Sequence, residues 1–166
     1  MMNEQIKELE KIIDKEIDGY KNIEKLYTDK KEILVNGKST DLFDIDAQIQ
    51  NTYKNLFGLS EIRKNITKKM NIPSFSLTDI INSVKQQDET AAKNIEDKKT
   101  KVSELAHRIF ELEKVNMELI KHGMFVTNKT LEIIIKGLQP ITNEYNQRGE
   151  NITKNQLEMS SIIEEA

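Results

Sequence analysis

The chain has 166 residues and a formal charge of −3, enough length for one packed core and too little net charge for a global basic field directed at nucleic acid or anionic lipid. It has no cysteine, which excludes disulfides and thiolate metal sites. Charged residues make up 32% and aromatics 5%, a balance that goes with long helices, and no apolar run approaches the roughly 20 residues of a membrane span.

The first helix is expected over about Asn3 to Val35. Ile6, Ile13, Tyr20, Tyr27 and Leu34 recur at heptad spacing, with Leu9 and Ile23 between them. Glu16 and Lys30 interrupt that frame and predict tolerant packing. Asn36-Gly37 is a stop, because both residues accept the left-handed backbone that ends helices. Ser39, Thr40 or Asp41 is expected to cap a second helix, Leu42 to Met70. Its stripe is Leu42, Ile45, Ile49, Leu56, Leu59, Ile66 and Met70, broadened by Tyr53, Phe57 and Ile62. Gly58 weakens it by about 1 kcal/mol relative to alanine. Arg63, Lys64, Lys68 and Lys69 read as a solvated face, since a nucleic-acid patch would carry more charge and interleaved aromatics.

Pro73 fixes a break at Asn71–Ser76. Ser76-Leu77-Thr78-Asp79 has the form of a capping box with Asp in place of Glu, and opens a short helix over Leu77–Lys85. A long helix over Asp88–Leu138 follows and Pro140 ends it. Residues 140–166 are polar and read as a tail that is loosely ordered without a partner, or is held by another chain. A weak last helix is expected over Gln156–Glu165. The expected architecture is all-α: an antiparallel helical hairpin with a very long third helix in a coiled-coil-like bundle over 1–139, then the tail.

The long helix changes character along its length. Ala91, Ile95, Val102, Leu105, Ile109, Leu112 and Leu119 alternate on two positions of one heptad frame, with Lys98 and Asn116 as polar exceptions. Beyond that, the positions in register with Ile109 become Asn116, Gly123, Thr130 and Gly137. A second stripe opens one residue over, about 100° around the helix: Met117, Ile120, Met124, Leu131, Ile134 and Leu138, with Thr127 polar among them. Leu119, Val126 and Ile133 stay apolar as well, so the face is wider than a two-helix seam needs. In an up-down arrangement the long helix, about 75 Å, runs parallel to the first, about 50 Å, and overhangs the Asn36-Gly37 turn by about 25 Å. The overhang carries the second stripe, which a soluble protein seldom leaves bare. The expected partner-binding residues are therefore Met117, Ile120, Met124, Leu131, Ile134 and Leu138, with Tyr145 as the one aromatic anchor in the tail.

Chemistry is harder to find. Glu104-Leu105-Ala106-His107 has the Glu-x-x-His spacing of di-iron bundles, but such centres need two of these motifs, and the other histidine, His122, has no Glu three residues before it. Glu104 and His107 also fall on the outside of the heptad frame. Glu118 and His122 could share a metal, yet two ligands do not make a site. No phosphate loop or nucleophile motif is legible. Asn116 at a seam position reads as a register device. No catalytic residue, metal or cofactor is expected.

The order of these segments resembles the FlgN family of flagellar export chaperones. Three stretches carry the likeness: Lys30-Lys31-Glu32-Ile33-Leu34-Val35-Asn36-Gly37-Lys38 at the end of the first helix, Leu112-Glu113-Lys114-Val115-Asn116-Met117-Glu118-Leu119-Ile120, and Tyr145-Asn146-Gln147-Arg148-Gly149 in the tail. The resemblance implies a cytoplasmic chaperone that binds aggregation-prone helical segments of hook–filament junction proteins and delivers them to the flagellar type III export gate. From charge and hydropathy no nucleic acid and no stable membrane insertion are expected, and a homodimer stays open. Two rival classes stand beside it: a coiled-coil dimerisation or regulatory module, and a metal-dependent enzyme on a four-helix bundle.

Overall fold

The computed structural model describes residues 2–138. Every regular element among them is helical: α1 (Met2–Val35), a 3-10 turn (Ser39–Asp41), α2 (Leu42–Lys69), α3 (Leu77–Lys85) and α4 (Glu89–Leu138). The four helices expected up to Leu138 are present, with ends that agree to within a residue, and the helix expected over Gln156–Glu165 lies outside the described residues. The chain divides into two units, 1–124 and 125–166; the described part of the second is the end of α4.

In the first unit both long-helix ends close in the same way. Gly37 takes φ +68°, the Lys38 N–H reaches back to the Ile33 carbonyl and the Gly37 N–H to that of Leu34. These are the bonds of a left-handed helix cap, which occupy carbonyls that would otherwise be orphaned. At the end of α2, Asn71 takes φ 55°, with Ile72 N–H on Thr67 O and Asn71 N–H on Lys68 O. The break opens at Asn71 as expected, but the residue that ends the helix is Asn71 itself rather than Pro73, because an asparagine tolerates this backbone better than other side-chain-bearing residues. Ile72, the residue after the cap, is buried and ties the corner into the core.

The helix starts differ. The residue before α2, Asp41, makes no side-chain cap bond; the 3-10 turn leads directly into the helix. Ser76 does cap α3: its Oγ accepts from the Asp79 N–H and donates to Asp79 Oδ2 at 2.7 Å. The reciprocal arm of a capping box is absent, since the Ser76 N–H donates to Ser74 Oγ. Asp79 is too short to reach back as glutamate does, and these hydroxyl contacts hold its carboxyl below the usual range.

Antiparallel pairing of α1 and α2 is fixed by contacts whose numbers run in opposite directions: Glu16 with Arg63, Asn22 with Thr52, and Lys30 with Asp46. Gly19 lets the two helices approach, because a Cβ there would lie 2.5 Å from Leu56 Cδ2. The contacts of α4 with α1 run in the same direction: Lys98 with Asp14, Arg108 with Glu24, Asn116 with Tyr27. So α4 is parallel to α1, offset by 84 to 89 residues.

The core has two layers. One gathers Ile6, Leu9 and Ile13 of α1, Ile66 and Met70 of α2, Ile80 and Val84 of α3, and Ile95 of α4. The other gathers Ile23, Leu26 and Tyr27 of α1, Ile45, Ile49 and Leu56 of α2, and Ile109 of α4. Tyr53, Phe57 and Ile62, expected to widen the buried stripe of α2, are instead exposed. The stripe is narrow because α1 and α4 occupy only one side of that helix.

Candidate partner-binding surface

Along α4 in the first unit, the early heptad positions are interior. Ala91, Ile95, Leu105 and Ile109 are buried, and Val102, Leu112 and Leu119 are half-buried. The polar exceptions are partnered. Lys98 Nζ donates to Asp14 Oδ2 at 2.8 Å and to the Glu10 carbonyl. Asn116 is 2% exposed and donates through Nδ2 to the Tyr27 carbonyl at 2.9 Å, while its Oδ1 is buried with no partner. That carbonyl lies inside α1, so the bond marks one position of α4 along α1. An unsatisfied buried acceptor is expensive, which fits a residue kept for position rather than for stability. Beside it, the Tyr27 hydroxyl donates to Glu113 Oε1 at 3.4 Å, and burial, then Tyr53 and Glu113, push this phenol well above its ordinary range.

The two interruptions of the α1 frame prove to be the ion pairs that join α1 to α2. Glu16 is 4% exposed and accepts from Arg63 Nε at 3.0 Å, and Arg63 also donates to the Phe75 carbonyl. Burial raises the Glu16 carboxyl above its ordinary range against the pull of the guanidinium. Lys30 Nζ meets Asp46 Oδ1 at 2.6 Å. Arg63 is thus removed from the basic face read at the end of α2, while Lys68 and Lys69 are exposed. Tolerant packing is not the outcome at Glu16: the charge is buried and answered.

The second stripe is different. In the first unit Met117 and Met124 are 49% and 61% exposed, and Ile120 is half-buried. In the second unit Leu131 and Ile134 are 51% and 49% exposed, with Phe125, Val126 and Ile133 exposed too. Leu138 is the last residue of α4; its side chain, like Tyr145, lies outside the described residues. Phe110, which the sequence reading passed over, is 61% exposed. It stands one heptad before Met117, and that spacing was the signal available for it. All five phenylalanines of the chain are exposed, so the core is mainly aliphatic, with Tyr27 its buried aromatic among the described residues.

Among the described residues nothing comparable gathers chemical groups. Glu104, His107, Glu118 and His122 are exposed on α4. Among the described residues no group of three or more His, Asp or Glu side chains is placed to hold a metal ion. A cavity of about 200 Å³ at the α2–α3 corner is lined by Met70, Asn71, Ile72, Ser83, Val84, Gln86 and Gln87, none of which titrates. No helix of the described residues is long and apolar enough to cross a membrane. What the geometry can do is offer one long helix whose apolar side chains are presented at heptad spacing.

A family model described as FlgN protein matches residues 1–153. No curated protein and no solved structure matches the chain.

Proposed function

Because the chain belongs to the FlgN family of flagellar export chaperones, we propose that it is a cytoplasmic chaperone that binds amphipathic helical segments of hook–filament junction proteins on α4 and hands them to the flagellar export gate. One observation carries the choice of surface: Met117, Met124, Leu131 and Ile134 are exposed on the same helix whose earlier heptad positions are buried. Partners read by such a surface are helices that lay an apolar face along it with anchors every three or four residues. Methionine suits a surface that accepts more than one shape, because its side chain is unbranched and polarisable. Leu138 belongs to the proposed surface as the next heptad position, and Tyr145 as an anchor in the tail. The function needs no catalytic group, metal or cofactor.

The test is co-expression with the junction proteins and recovery of complexes. Wild type should retain them, and Ile134→Asp should lose them while α1 and α2 stay folded. Retention by Ile134→Asp would place the client elsewhere. A second reading draws on the heptad spacing itself: Phe110, Met117, Met124 and Leu131 could form the seam of a homodimer. Sedimentation separates the two. An obligate dimer that persists in the presence of a junction protein and buries these residues would favour the dimerisation module.

A further inference from the structure

Within the second unit, Leu131 and Ile134 are exposed and Ile135 is half-buried. They stand at i, i+3 and i+4 of α4. The same spacing recurs once in the chain beyond α4: Met159, Ile162 and Ile163, with Leu157 beside them. These residues lie past position 153, where the family match ends. We propose that residues 156–165 form a helix that packs back on the Leu131–Ile134 face and holds it until a client takes its place. The proposal rests on the client-surface reading for its regulatory meaning, though not for the contact itself.

Three features favour this occupant over an external one. Both segments carry one apolar edge with matching spacing, so each can cover the other in an antiparallel pair. Their net charges are opposite: residues 125–138 carry Lys129 and Lys136 against Glu132, whereas 154–166 carry Lys154 against Glu158, Glu164 and Glu165. The intervening stretch from 139 to 155 is long enough to turn back, since extended chain spans up to about 3.3 Å per residue. Closing a loop of that length adds little entropy beyond a short one. Tethering also places the segment at an effective concentration in the millimolar range, far above a second copy at micromolar protein.

The absence of cysteine gives a clean experiment. Full-length chains carrying Leu131→Cys with Ile162→Cys, and Ile134→Cys with Ile163→Cys, are oxidised at micromolar concentration. A control pairs Ile162→Cys with Lys129→Cys, on the opposite side of α4. The expected result is an intramolecular disulfide in at least one test pair, forming about tenfold faster than in the control. Equal rates in test and control, or disulfides mainly between chains, overturn the contact. The regulatory step is read separately, by recovery of co-expressed junction proteins with the disulfide closed and reduced. Loss of recovery only in the closed form supports the placeholder. Equal recovery in both forms overturns it. If the disulfide forms and no junction protein is recovered in either form, the placeholder's regulatory role falls with the client reading, while the contact stands.

Discussion

Residues 91–116 and 125–138 belong to one uninterrupted helix and are made of similar residues, yet they have opposite fates. In the first stretch Ile95 and Ile109 are at most 6% exposed; in the second Leu131 and Ile134 are about half exposed. Burying such a side chain is worth roughly 1.5–3 kcal/mol, so the first stretch contributes that stabilisation to its unit. In the second unit the exposed side chains contribute none of it among the described residues. An apolar rhythm therefore states that a face has a partner. It does not state which partner, because the helical period is the same whether the covering surface is the chain itself or another molecule.

The sharpest way to break this contrast is to place a charge in each stretch. Ile95→Asp should unfold the first unit, because an isolated carboxylate in an apolar layer has nothing to pair with. Ile134→Asp should leave its unfolding free energy in urea unchanged, within about 0.5 kcal/mol. Comparable losses from the two would mean that the second stripe is also interior.

A smaller effect is expected from the buried ion pair of the first unit. Arg63→Ala leaves Glu16 buried without its partner and should lower stability by about 3–5 kcal/mol. Combining it with Glu16→Met should recover most of that loss in the same unfolding measurement. If the double variant is no better than Arg63→Ala, the loss comes from the Arg63 contact to Phe75 instead.

Asn116 tests the boundary between the two stretches. Asn116→Leu removes an unsatisfied acceptor and adds apolar area, so stability should rise by about 1 kcal/mol. The gain should come with a less singular seating of α4 on α1, visible as extra amide resonances from residues near Tyr27. A single sharp set of resonances would show that the ion pairs at Asp14 and Glu24 set the register without it.

The smallest effects are in pH, and their signs differ between the two units. Glu16 titrates above its ordinary value when folded, so its contribution is present below the unfolded value of 4.5 and is lost as pH rises through the raised one. Wild type should lose stability relative to Glu16→Gln across that window. Glu132, hydrogen-bonded by Lys129 and Lys136, is held down to about 2. Its contribution is present above 4.5 and is lost as pH falls through about 2. Amide protection factors in residues 125–138 should therefore fall over that range, less so at high salt, because these charges are exposed.

Much of the fold could be read from local chemistry. Helix ends follow from residues whose backbone preferences act over a few positions: Asn36-Gly37, Ser76, and the long run without proline after Asp88. Interior positions follow from the period, as Ile6, Ile13, Ile95 and Ile109 show. The second stripe was legible for the same reason, although Phe110 was missed because it precedes the point where the first seam fades. The break from Asn71 was placed correctly but assigned to Pro73 rather than to the left-handed Asn71, because a proline is the stronger signal in one dimension. Tyr53, Phe57 and Ile62 were placed wrongly because the width of a buried stripe depends on how many neighbours a helix has, and that number is not a property of the helix.

The sequence by itself determined where the helices lie, which edge of each is apolar, and that α4 carries two successive apolar registers. These depend on bonds and rotamers within a few residues of one another. Only the tertiary structure decided that Glu16 is answered by Arg63 and Lys30 by Asp46, that Gly19 admits Leu56, and that the amide of Asn116 reaches the Tyr27 carbonyl. Each of those depends on two helices meeting at one offset. Such an offset is a balance of contacts between residues far apart in the chain, and no short window of sequence contains both sides of it.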